Sequence, residues 1–72
     1  MRSIELAHKH VNNGAVMASS AAICLKDAEA FLAKGEVKLA AYWSARSLMY
    51  SVGVFHVDYI EAKCAWNALD NS

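Results

Sequence analysis

The chain has 72 residues, of which 57% are apolar and 14 are alanine; seven acidic and seven basic side chains balance to zero formal charge, with no proline and three glycines. That apolar fraction excludes a disordered tail, the length excludes more than one small domain, and two cysteines are too few for a disulfide framework. Zero net charge argues against a dedicated nucleic-acid or membrane-surface protein. A chain this short usually needs a disulfide, a metal or a partner subunit to stabilise its fold.

In chain order, the first element predicted is a helix over residues 3–33. Ser3 is a candidate N-cap, and Glu5 and Lys9 stand i to i+4 in the favourable order. A heptad reading puts Ile4, Val11, Ala18, Leu25 and Leu32 on one seam, with Ala7, Gly14, Ala21 and Ala28 three residues further on. Glu5, Asn12, Asn13, Ser19, Ser20, Lys26 and Asp27 fall on the opposite, solvated side. Small residues at every seventh position allow a neighbouring helix to approach closely. Ala33-Lys34-Gly35-Glu36 then reads as a helix stop and restart, with a lysine in the last turn and a glycine for the left-handed C-cap, which sets a turn at 34–35.

The second helix is predicted over residues 36–69. Ala41, Leu48, Phe55, Ala62 and Leu69, flanked by Ala45, Val52, Tyr59 and Trp66, make one apolar stripe. Leu39, Trp43, Tyr50, Val54, Val57 and Cys64 make a second stripe on the far side. One antiparallel partner covers only one of them, so the other is left for association. These readings assemble into an all-α, single domain over residues 1–72: an antiparallel hairpin of helices ~46 Å and ~51 Å long at ~1.5 Å per residue, expected to dimerise into a four-helix bundle. The turn brings Gly14 level with Gly53, and the two are read as a close-packing or kink layer, with Gly35 in the turn. The alternative is a four-helix monomer with breaks at Asn13–Gly14 and Gly53. Leu39, Trp43, Met49, Tyr50, Val54 and Val57 are the candidate interface, because aromatics, methionine and nearby Arg46 are the residue types that anchor protein–protein contacts.

Little in the sequence reads as chemistry. His8 and His10 point apart on one helix and cannot chelate one ion; hairpin pairing sets His8 level with Glu61 and His10 level with Tyr59. Cys24 and Cys64 lie too far apart in a long hairpin for a disulfide and read as small buried hydrophobes. No nucleophile, base and orienting group come together, so no catalytic residue, metal or cofactor is expected and the chain is read as non-enzymatic. The runs His10 to Leu25 and Leu39 to Val57 are too polar or interrupted to span a bilayer, and no signal peptide is read. Two thiols suit a reducing compartment, so the cytoplasm is the expected location.

The stretch Ser47-Leu48-Met49-Tyr50-Ser51-Val52-Gly53-Val54-Phe55-His56-Val57-Asp58-Tyr59 resembles segments of small helical accessory proteins from the early region of lambdoid phages and prophages. The resemblance implies a small helical accessory protein that modulates the host from its cytoplasm; the second apolar face of the second helix adds the expectation that it acts through protein–protein contacts, as a homodimer or on a host or phage protein. A second resemblance, to helical HEPN-type domains in which an arginine and a histidine on one helix cleave RNA, rests on Arg46 and His56, ten residues apart where that motif is tighter. It implies the alternative reading, a small RNA- or DNA-binding or RNA-processing module.

Overall fold

In the computed structural model, which describes Met1 through Ser72, the chain forms four helices: α1 (Arg2–Asn12), α2 (Ala18–Ala33), α3 (Val37–Val52) and α4 (Val57–Asp70). The class is all-α as expected, but each long helix is broken in two. A body whose longest dimension is 32 Å has no room for helices of ~46 and ~51 Å. The breaks fall at Gly14 and Gly53, both at φ 87°. A Cβ placed on either glycine would meet nothing within 4 Å. They are therefore chain breaks, and the close-packing layer expected from the sequence is not what they form.

Gly35, at φ 77°, ends α2 in a Schellman motif: Glu36 N–H donates to Phe31 O (2.9 Å) and Gly35 N–H to Leu32 O (3.0 Å). The antiparallel register around that turn holds for α2 and α3. Val16 N–H donates to Ser51 O (3.1 Å), Met17 N–H to Tyr50 O (3.0 Å), and Ser47 Oγ–H to Ala21 O (2.7 Å). The first two bonds, with Gly53 N–H to Met49 O (3.0 Å), satisfy carbonyls that the end of α3 would otherwise leave without partners. Gly53 can thus stop the helix without orphaning its last turn.

Beyond the glycines, α1 and α4 still face each other, through Arg2 Nε to Glu61 Oε2 (2.9 Å) and His10 to Asp58 (2.6 Å). This second pair folds back over the first. Ser3, expected to be an N-cap, instead lies inside α1 and meets Ser44 Oγ of α3 at 2.7 Å. The molecule is a hairpin doubled over at Gly14 and Gly53, with α1 and α3 each touching all the other helices and α2 and α4 not touching.

The core this creates is thin. Ile4, Leu6, Leu25 and Leu48 are its large members; the other buried apolar residues are seven alanines and Cys24. Ser3, Ser44, Ser47 and Ser51 are buried among them. Ala40, Ser44, Ser47 and Ser51 form one stripe of α3, and because these side chains are small, the Ser47 hydroxyl can reach the backbone of α2. Ser44 Oγ–H donates to Ala41 O (3.0 Å), which leaves Ser3 as the donor to Ser44, and Ser51 Oγ–H donates to Ser47 O (2.8 Å). No buried side-chain polar atom lacks a partner, so these serines escape the penalty of unpaired burial.

The accessible surface, 4248 Å², matches the ~4,400 Å² expected of a folded monomer of this mass. Four helices thus pack within one chain, with the breaks at Asn13–Gly14 and Gly53 of the alternative reading and not the two long helices of the leading one. No helix is long and apolar enough to cross a membrane.

Candidate functional site

Three features stand out at the surface, and the first is apolar. Because Val16 and Met17 bond to Ser51 and Tyr50, the α1–α2 and α3–α4 linkers lie side by side at one end of the molecule. There Phe55 is 93% exposed, Val16 84% and Val57 69%, with Met17 and Val54 also exposed. Of the residues expected at an interface, Leu39, Val54 and Val57 are exposed, while Trp43, Met49 and Tyr50 are half-buried. Trp43 packs on the core and sets its ring edge-on to Tyr42, centroids 5.1 Å apart. Part of the expected surface is therefore spent inside the chain. Val16, Met17 and Phe55 were missed because a continuous helix would have put Phe55 on the core stripe; the legible signal was apolar residues flanking a glycine.

The second feature joins α1 to the start of α4. His10 Nε2 lies 2.6 Å from Asp58 Oδ2, and Lys9 Nζ lies 3.5 Å from the same oxygen. His56 caps α4, its Nδ1 accepting from Asp58 N–H at 3.0 Å, and its ring stands edge-on to His10 at 5.1 Å. The His10 hydrogen bond, more than the charge of Lys9, holds the Asp58 carboxyl below the usual carboxylate range, against a smaller opposing effect of burial. Ligand-capable atoms of His10, His56 and Asp58 lie within 4.8 Å of one another, so these three are the groups that could hold a metal. The present bonding opposes it. The His56 lone pair is used on the helix cap, and a cation would have to displace both Lys9 and the proton shared by His10 and Asp58. As built, the cluster is a clamp between helices. Hairpin pairing had set His10 one residue away, at Tyr59; His8 lies beside Glu29 of α2 at 3.3 Å, and Glu61 goes to Arg2 instead.

A third feature is a cleft of about 180 Å³ between α3 and α4, lined by Tyr42, Ala45, Arg46 and Met49 on one side and Tyr59, Lys63 and Trp66 on the other. Tyr42 and Trp66 meet edge-on across it, centroids 5.0 Å apart. Arg46 donates from Nη2 to Tyr50 Oη at 3.0 Å, and its guanidinium carbon lies 5.7 and 5.6 Å from the Tyr42 and Tyr50 ring centres. Bonding to Tyr50 and the neighbouring tyrosines raises the Arg46 pKa further above its already high value.

Arg46 and His56, paired by the nuclease resemblance, are not brought together: Arg46 is engaged with Tyr42 and Tyr50, His56 with His10 and Asp58. Both cysteines are free thiols; Cys24 is buried as expected, but Cys64, also read as buried, is exposed on α4. No protein-family model, curated protein or solved structure matches the chain.

Proposed function

We propose that this is a small non-enzymatic accessory or regulatory protein, as its resemblance to lambdoid early-region proteins implies, and that it works by protein–protein contact. The observation that carries this reading is the distribution of large apolar side chains. Eleven are exposed, with Val16, Met17, Val54, Phe55 and Val57 beside the two linkers, while Ile4, Leu6, Leu25 and Leu48 are the only ones buried. Scattered exposed apolar residues need no explanation, but a cluster at one end of so small a molecule does.

A second copy of the chain is the occupant favoured for that end. Residues 14–17 and 53–57 contain no Asp, Glu, Lys or Arg, and the chain has zero formal charge, so two copies can meet apolar face to apolar face without like-charge repulsion. Sedimentation velocity over a concentration series tests this. Dimer formation is expected, weakened roughly 30-fold or more by Phe55→Ser if Phe55 is an anchoring residue. The exposed position of Phe55 means the variant keeps its helical signal and melting temperature. A wild-type protein that stays monomeric at high micromolar concentration refutes the dimer, and equal association by Phe55→Ser refutes the surface.

A further inference from the structure

The α3–α4 cleft has a composition that the association surface does not explain. Tyr42, Ala45, Arg46 and Met49 recur on one face of α3, and Tyr59, Lys63 and Trp66 on one face of α4. Small, buried Ala45 between Tyr42 and Met49 opens the gap between the two rows. The lining holds three aromatic rings and two cations and no acidic group. Neither cation is neutralised: the carboxylate ion pairs of this molecule involve Arg2, His8, Lys9 and His10, not Arg46 or Lys63.

We infer that this cleft binds a single planar ring carrying a phosphate, the chemistry of a nucleoside monophosphate. The ring class follows from Tyr42, Tyr59 and Trp66, because aromatic side chains hold nucleobases by stacking with little regard to base identity. A phosphate suits the two cations better than a carboxylate does, since a phosphate monoester carries ~1.5 to 2 negative charges near neutral pH. Arg46 is already oriented. One of its N–H groups is held by Tyr50 and its plane is flanked by two tyrosine rings, which leaves the rest of its fork of five donors for phosphate oxygens. Size limits the ligand: about 180 Å³ is below the ~300 Å³ at which pockets for drug-sized molecules begin. One base fits with its sugar and phosphate at the rim, and a dinucleotide cofactor does not.

The test is a titration of the full-length, isotope-labelled protein with AMP, adenosine and inorganic phosphate at low salt, followed by backbone and indole NMR shifts. Saturable shifts at Ala45, Met49, Lys63 and Trp66 are expected with AMP, with adenosine and phosphate each at least ~10-fold weaker, since a charge-assisted contact is worth about that factor or more. Lys63→Ala, at an exposed position, and Arg46→Ala should each weaken AMP by roughly 10-fold; circular dichroism confirms that each variant is folded. Adenosine binding as tightly as AMP overturns the phosphate assignment, and phosphate alone binding as tightly overturns the ring. Absence of saturable shifts with AMP overturns the site. An RNA oligonucleotide that binds far more tightly than AMP overturns the mononucleotide assignment in favour of a strand.

Discussion

Replacing Gly53 by alanine has opposite signs in the two architectures this sequence allows. In a continuous helix, glycine is worse than alanine by roughly 0.5–1 kcal/mol, so the substitution would stabilise. In the structure Gly53 ends α3 at φ 87° and ψ 169°, a region that is open essentially to glycine alone and strains other residues by about 1–3 kcal/mol. Space is not the obstacle, because the added Cβ meets nothing within 4 Å. Alanine also loses less entropy on folding, which returns ~0.4–1 kcal/mol. The net expectation is a loss of about 1–2 kcal/mol, and at roughly 4–8 °C per kcal/mol for a domain of this size the melting temperature falls by ~5–15 °C. Thermal unfolding followed by far-ultraviolet circular dichroism measures this directly. A chemically synthesised chain with D-alanine at 53, for which positive φ is relaxed, should melt at or above the wild-type temperature. An L-alanine variant melting at or above wild type would falsify the break and restore the long helix.

Leu48 is fully buried at the centre of α3, so Leu48→Ala should lose ~2–5 kcal/mol; against a total of about 4–11 kcal/mol for a chain of this length, urea denaturation should find it at the edge of unfolding, and a loss under 1 kcal/mol contradicts the packing. Asp58 has a folded pKa below its unfolded value of ~3.9, so its contribution is fully present above that value and disappears as pH falls through the folded pKa. Asp58→Asn should therefore flatten the acid side of the stability profile below about pH 4, and an unchanged acid slope speaks against the His10–Asp58 clamp. Burial pushes the Cys24 thiol up, while Cys64 is exposed; a thiol reagent should label one site quickly and the second only on unfolding, and Cys64→Ser should remove the fast phase. If the fast phase survives, α4 is placed wrongly.

The central turn was legible because Lys34-Gly35-Glu36 carries its chemistry locally. The heptad seam was legible in part: Ile4, Ala7, Ala21, Leu25 and Ala28 are buried as their spacing implies, and the register of α2 on α3 follows from the turn. The serines of α3 were not. Ser44, Ser47 and Ser51 are polar by composition; Ser44 and Ser51 bond carbonyls of their own helix, Ser47 bonds the backbone of α2, and only the packed chain places that face inside. The cleft was half legible, since Tyr42, Ala45, Arg46 and Met49 share one face of a single helix by their spacing, but Tyr59, Lys63 and Trp66 join them only after α4 has turned back on α3.

By itself the sequence determined that this chain is helical, that it turns at Gly35, and that it carries more large apolar side chains than one pair of helices can bury. Tertiary structure decided what becomes of that excess. A glycine's effect depends on whether the bonds lost at a break are replaced, and at Gly53 they are, by Val16 and Met17 from the other linker. Periodicity reads the same on either side of such a break, and only the packed chain reveals that the halves fold back on each other.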